Sequence, residues 1–211
     1  MKLSVVIPFY NEENMIQKMY DELVKEINQI TKAEFEIIFI NDGSKDRTFE
    51  RMLAIAAGDS RVKYISFSRN FGKEAGTIAG LEYATGEAVI LMDGDLQHPP
   101  AMLPQMIEAY EQGYDVVSAR RTRTGEKPHR TFLAKHFYKL ANKMMDIELM
   151  DGVSEFRLFS RKVVNAIISM QEYNRFSKGI FAWVGFNEKV IEYENQVRTV
   201  GETKYSLKFS L

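Results

Sequence analysis

The chain has 211 residues, 45% of them apolar and 27% charged, with a formal net charge of −1 and no cysteine. That composition describes a folded globular domain with room for a sizeable core, and it excludes a disordered chain, a disulfide scaffold and thiolate chemistry. A charge so near zero gives no electrostatic reason to expect a nucleic-acid partner, and no apolar run approaches bilayer length.

Leu3 to Pro8 reads as a buried strand, and Phe9 to Glu12 as the loop after it. Ile16, Met19, Tyr20, Leu23, Val24, Ile27 and Ile30 recur at helical spacing, which predicts an amphipathic helix with Asn11 as its N-cap. Phe35 to Ile40 is a second strand opening into the polar turn Asn41-Asp-Gly-Ser-Lys-Asp46. A helix from Thr48 to Ala57, closed by Gly58, leads to a third strand at Val62–Ser66 and the polar run Ser68 to Lys73. A short helix then runs to about Thr85. Ala88 to Met92 is a fourth strand, continuous in apolar residues and so buried on both faces. It ends in Asp93-Gly-Asp-Leu-Gln-His-Pro-Pro100, whose prolines suit the first turn of the next helix, Ala101 to Gln112. Asp115 to Ala119 is a fifth strand.

Strands alternating with helices across short connections predict a parallel sheet covered on both faces, a Rossmann-like α/β fold. Every polar cluster follows a strand, so Tyr10–Glu12, Asp42–Asp46, Arg69–Lys73 and Asp93–Gln97 fall on one edge. Ligands of open α/β sheets bind at that edge. Asp93 and Asp95, two residues apart in an extended segment, would point the same way and converge on one hard cation. Neither a P-loop nor a G-x-G-x-x-G cradle is present.

After Ala119 the chain turns basic: Arg120, Arg121, Arg123, Lys127, Arg130, Lys135, Lys139 and Lys143 face one acid, Glu126. Leu133, Phe137, Leu140, Met144 and Ile147 keep helical spacing, with Lys135, Lys139 and Lys143 as a stripe on another face. That pattern suits either a core-facing helix with solvated lysines or a helix lying on anionic lipid. Asp151 to Ser160 is strand-like, and Arg161 to Met170 is a helix. Phe176 to Val184 is an apolar stretch in which Trp183, Phe181 and Phe186 read as core. Glu188 to Tyr193 reads as an antiparallel edge strand. His98, His129 and His136 lack metal-ligand spacing, and His98 reads as a hydrogen-bonded loop histidine.

Pro8-Phe-Tyr-Asn-Glu12, Asn41 to Asp46, Arg69-Asn-Phe-Gly72, Asp93 to Pro100 and Glu155-Phe-Arg-Leu158 together resemble family 2 glycosyltransferases of GT-A fold. Within that family they look most like polyprenyl-phosphate glycosyltransferases, which include bactoprenol glucosyltransferases and dolichol-phosphate mannose synthases. The resemblance covers the whole chain and implies one catalytic domain, residues 1–211. About 1–119 would form the nucleotide-sugar half, and about 120–211 the acceptor and membrane-facing half. Pro8, Tyr10, Glu12, Asp42, Asp46, Arg69, Lys73 and Asp93 would form the donor pocket. Asp95, with Asp93 and Gln97, would hold Mg²⁺ or Mn²⁺. Asp95, Glu155 and Arg157 would be the catalytic group. Many relatives carry Asp in place of Glu155, which sets the assignment of a general base apart from the rest.

The resemblance also implies a site at the cytoplasmic face of a bacterial plasma membrane, in a protein whose transmembrane helices follow the segment around Arg198–Tyr205. An oligomer is compatible with it. The expected reaction is inverting, metal-dependent transfer of a hexose, glucose from UDP-glucose, onto polyprenyl phosphate. A phosphate acceptor is already largely anionic at neutral pH, with a second pKa of about 6. It needs cations for positioning more than a strong base, and Arg120, Arg130, Arg157, Arg198 and Lys204 are the candidates. The alternatives are a GDP-mannose-dependent enzyme, a transferase acting on a saccharide hydroxyl, and a non-catalytic membrane-surface module.

Overall fold

The computed structural model describes residues 1–122, 153–170 and 177–193. Strand β1 (Lys2–Phe9) is followed by helix α1 (Ile16–Ile27), β2 (Glu34–Asn41), α2 (Thr48–Gly58), β3 (Val62–Ser66), α3 (Lys73–Tyr83) and β4 (Ala88–Leu91). A 3₁₀ turn (Pro100–Met102) leads into α4 (Leu103–Glu111), then β5 (Val116–Arg121). Beyond residue 152 come β6 (Val153–Ser160), α5 (Arg161–Ser169), α6 (Ser177–Trp183) and β7 (Glu188–Tyr193). The basic run from Arg123 to Lys143, with Arg130, and the tail with Arg198 and Lys204 lie outside the described residues.

The seven strands form one sheet in the order β3-β2-β1-β4-β6-β5-β7. Every pairing is parallel except those of β6, which runs antiparallel to both β4 and β5. The apolar runs of β1, β2 and β4 are buried on both faces, as parallel strands require. On one face Ile16, Met19, Leu23 and Ile27 of α1 pack with Met52 of α2 and Met106 of α4. On the other, Leu81 of α3, Val163 and Ile167 of α5, and Phe181 of α6 cover Val6, Ile38, Val89 and Phe159.

Three local expectations change. Asn11 does not cap α1: its φ is 52°, its side-chain oxygen accepts the Lys45 N–H, and the helix starts five residues later. The turn holding Asn11 is too tight to serve as a helix entry, and the Glu12 carbonyl accepts the N–H groups of Met15 and Ile16 instead. Glu188–Tyr193 is an edge strand, but it runs parallel to β5, because α6 carries the chain back to start at the same end. Trp183 is 66% exposed and is not core, whereas Phe181 is buried against Phe159. Trp183 is the last residue of the seven-residue α6.

Candidate active site

The parallel strands bring the ends of β1, β2, β3 and β4 to one edge, and side chains tie the loops there to each other. Asn11 N–H donates to Ser44 Oγ at 3.1 Å, and Glu12 N–H donates to Thr48 Oγ1 at 2.8 Å. Asp46 accepts from Thr48 N–H at 3.0 Å and from Glu13 N–H at 3.2 Å. Burial alone would raise its carboxyl's pKa, but these bonds, with the Thr48 hydroxyl as a further donor, outweigh it and hold the pKa below the usual range. Asp42 is 3% exposed, and its two carboxylate oxygens accept the Phe71 and Gly72 N–H groups at 2.7 and 3.0 Å. Asp42 and Asp46 therefore hold neighbouring loops in place. Pro8 lies beneath α3, where its side chain contacts the position a Cβ would take on Gly76.

A cleft of about 580 Å³ opens between these loops, bordered by Tyr10, Lys45, Phe49, Phe67, Arg69 and Asn70. The Arg69 guanidinium sits 4.0 Å from the Phe71 ring centre, and Phe71 is half exposed. A slightly larger cleft, about 660 Å³, lies at the opposite edge around Thr85, Tyr110 and Arg161. Its charges are already matched: Lys162 pairs with Asp115, and Arg161 donates to the Gly86 carbonyl. The carboxyl edge holds the reactive groups, so the smaller cleft is the relevant one.

Beside it stands a cluster assembled from three elements. Lys73, the first residue of α3, places Nζ 2.5 Å from Asp93 Oδ1 and 2.7 Å from Glu155 Oε2. Asp93 comes from the turn after β4, and Glu155 from the antiparallel β6. Burial alone would pull the Lys73 ammonium's pKa down, but the two carboxylates override it and hold the pKa above its ordinary value. His98 is buried, stacks on Phe156 at 5.4 Å between centroids, and accepts the Asp93 N–H on Nδ1 at 2.9 Å. Burial pushes its pKa down, so the ring is neutral with its proton on Nε2, 3.8 Å from Asp93 Oδ2. His98 is thus the hydrogen-bonded loop residue the sequence suggests, and it fixes the Asp93 backbone.

Asp93 and Asp95 do not sit in an extended segment. β4 ends at Leu91, the chain turns at Gly94 and Asp95, and Leu96 has a φ of 60°. A side chain at Gly94 would collide with the Phe9 ring, 2.3 Å from where its Cβ would stand, so the turn lies directly on the core. The two carboxylates nevertheless share neighbours, because both act on His98 and on Tyr193. Among the described residues, Asp95 accepts one hydrogen bond, from the Gln97 N–H at 3.1 Å. No group of three acidic or histidine side chains there makes a complete metal cage. One or two carboxylates still suit a hard divalent cation whose other positions are filled by phosphate and water, so this donor set fits Mg²⁺ or Mn²⁺.

The arginines separate. Arg157 is 5% exposed, below Glu155 on the same face of β6, and donates to Glu188 at 3.4 Å. Burial pulls its pKa down, against the pull of Glu188 and Glu155. Arg120 pairs with Glu192 at the surface. Arg121, not singled out from the sequence, stands opposite Tyr193 on β7 and acts on that phenol's ionisation. Tyr193 carries no motif. It is near Asp93 and Asp95 only because β7 returns beside β5.

A family model described as glycosyl transferase family 2 matches residues 4–168. The putative glycosyltransferase CsbB of Bacillus subtilis (strain 168) is 50% identical over 204 residues, 97% of this chain and 62% of that protein. The prophage bactoprenol glucosyl transferase homolog of Escherichia coli (strain K12) is 44% identical over 207 residues, 98% of this chain and 67% of that protein. The chain thus spans less than two thirds of the length of several curated relatives it matches. Among solved structures, mannosyltransferase PcManGT of Pyrobaculum calidifontis, in complex with GDP-Man and Mn²⁺, has a TM-score of 0.62 at 18% identity, over 90% of this chain and 54% of that one. Glucosyl-3-phosphoglycerate synthase of Mycobacterium tuberculosis, with Mn²⁺, UDP-glucose and phosphoglyceric acid, has a TM-score of 0.60 at 19% identity, over 95% and 73%. At such identities the likeness is one of fold, the GT-A fold expected from the motifs. The matched span includes the strand ends that gather Lys73, Asp93, Asp95 and Glu155, and the protein is a member of glycosyl transferase family 2.

Proposed function

We propose that this domain transfers glucose from UDP-glucose to polyprenyl phosphate with inversion at the sugar, at the cytoplasmic surface of a bacterial plasma membrane. Residues 1 to about 119 bind the donor, and about 120 to 211 receive the acceptor. The observation that carries this reading is the Lys73–Asp93–Glu155 cluster with Asp95 at the carboxyl edge, beside a cleft of nucleoside size. Support for the acceptor comes from relatives named bactoprenol glucosyl transferase, 43% identical over 98% of this chain.

In this reading the cleft by Tyr10 and Arg69 takes the nucleoside, and Asp95 with Asp93 holds the divalent cation. When bound, that cation neutralises charge developing on the leaving diphosphate. The Lys73 ammonium adds a second positive charge at the same oxygens. His98 keeps Asp93 oriented through its backbone. The Glu155 carboxylate is occupied by the Lys73 ammonium. That arrangement favours an acceptor that arrives already anionic over a saccharide hydroxyl, which would need a free base. Arg121 lies at the end of β5, on the acceptor side.

A thermal-shift panel of UDP, GDP, CDP and their common sugars, each with and without Mn²⁺, tests the donor. UDP-glucose at 100 times its Kd should stabilise the fold by about 2.7 kcal/mol, and only with metal. A response to GDP-mannose instead would reassign the donor. No response to any nucleotide in a folded sample would sink the reading.

A further inference from the structure

Lys73 stands where its charge is least expected. It is the first residue of an eleven-residue helix, and helix N-termini carry a partial positive charge that disfavours cations. Its position is nevertheless imposed. Gly72, at φ 95°, and Phe71 are clamped by the Asp42 carboxylate, so the start of α3 has little freedom. From there the ammonium reaches across to β4 and β6 and bridges Asp93 to Glu155, at 2.5 and 2.7 Å. The bridge is largely shielded: side-chain exposure is 36% for Lys73, 29% for Asp93 and 17% for Glu155. Among the described residues, Asp95 and Arg157, the latter behind Glu155, also carry charge near the bridge, and His98 stands by it uncharged.

The same Asp93 oxygen cannot be fully shared by an ammonium at 2.5 Å and a divalent cation. Two carboxylates held by one internal cation are a poor site for a second cation arriving alone. A nucleoside diphosphate changes that balance, because it brings anionic oxygens to the N-terminus of α3, where backbone N–H groups and an ammonium both favour anions. We propose that Lys73 is a resident counter-cation that competes with the divalent metal for Asp93 and that, when metal and nucleotide enter together, it exchanges Asp93 for the donor diphosphate while keeping its contact with Glu155. This rests on the donor-site reading above and adds to it a positioning residue that couples the two ligands. The consequence is obligatory pairing: metal affinity is low without nucleotide, and nucleotide affinity is low without metal.

Mn²⁺ binding, followed by the loss of the free-ion paramagnetic resonance signal, tests this without any turnover. It is measured on the chain with and without UDP, for the unaltered protein and for Lys73→Met and Lys73→Gln. The unaltered protein should bind Mn²⁺ about tenfold or more tighter with UDP, within the roughly 5–150-fold range typical of linked sites. Both variants should bind Mn²⁺ alone about tenfold tighter than the unaltered protein, and should lose most of the coupling to UDP. Their melting temperature, lowered by two unneutralised carboxylates, should recover on adding Mn²⁺ alone. If the unaltered protein shows coupled binding but the variants bind lone Mn²⁺ no better, the counter-cation role is wrong and the donor site stands. If the unaltered protein binds neither UDP nor its Mn²⁺ complex, the donor site falls and this proposal with it.

Discussion

Single residues divide into those whose role follows from what they touch and those whose role follows from what they hold still. His98 holds still: its ring receives the Asp93 N–H and lies against Phe156. Asp42 does the same for the start of α3. Glu155 touches Lys73, and its expected contribution is that of a charge partner. Glu155→Gln should therefore slow transfer to a phosphate acceptor by less than about tenfold, since a surviving amide still accepts from Lys73 and no proton needs removing. A drop of roughly 10³-fold or more in kcat, with the Mn²⁺ and nucleotide affinities unchanged, would restore Glu155 as a general base. Asp93 and Asp95 were legible in the sequence as a pair of carboxylates after a buried strand. Their link to Lys73 was not, because Lys73 approaches from a helix start that only the sheet brings opposite β4.

At the scale of elements, the edge opposite the site is closed by one buried acid. Glu36 of β2 is 3% exposed and accepts from Ser4 Oγ at 2.6 Å, Thr85 N–H at 2.6 Å and Lys63 Nζ at 2.7 Å. It thereby ties β2 to β1, β3 and the turn before β4. Burial alone would raise its pKa, but these donors outweigh burial and hold the carboxyl far below its usual range. A carboxyl with a depressed folded pKa contributes stability above its unfolded value, about 4.3, and that contribution disappears as pH falls toward the folded pKa. Glu36→Gln should lower unfolding stability by about 2 kcal/mol at pH 7. The gap to the unaltered protein should narrow steadily below about pH 4. Urea unfolding at both pH values reads this, and a gap that widens in acid would contradict it. The element pattern itself was readable in the sequence. From β1 to β5 the bounds read from the sequence fall within a residue or two of the observed ones, except that α1 ends at Ile27 and not Ile30, because the inner strands β1, β2 and β4 are buried on both faces and each helix on one. The direction of β7 was not readable. Its alternation is the same either way, and the return path through α6 decides it.

For the whole molecule, the charge balance hides an uneven distribution. The segment from Arg120 to Lys143 carries eight basic residues against one acid, in a chain of net charge −1. No helix among the described residues is long and apolar enough to cross a membrane. Attraction to anionic lipid should depend on that basic segment, at about 1 kcal/mol for each Lys or Arg that reaches the surface. The chain should sediment with vesicles rich in phosphatidylglycerol, release at high salt, and stay in solution with phosphatidylcholine alone. Replacing Lys135, Lys139 and Lys143 by Gln should reduce the bound fraction, and equal binding to neutral vesicles would exclude an electrostatic origin. By itself the sequence determined the parallel α/β architecture, because alternating buried strands and one-sided helices in short succession have few other ways to bury their apolar faces. It also determined that the polar loops share one edge, since parallel strands must end together. Only the tertiary structure decided which charges meet there. Lys73, Asp93, Glu155 and Tyr193 come from distant parts of the chain, and their distances depend on strand order and on the reversal of β6, which no local pattern encodes.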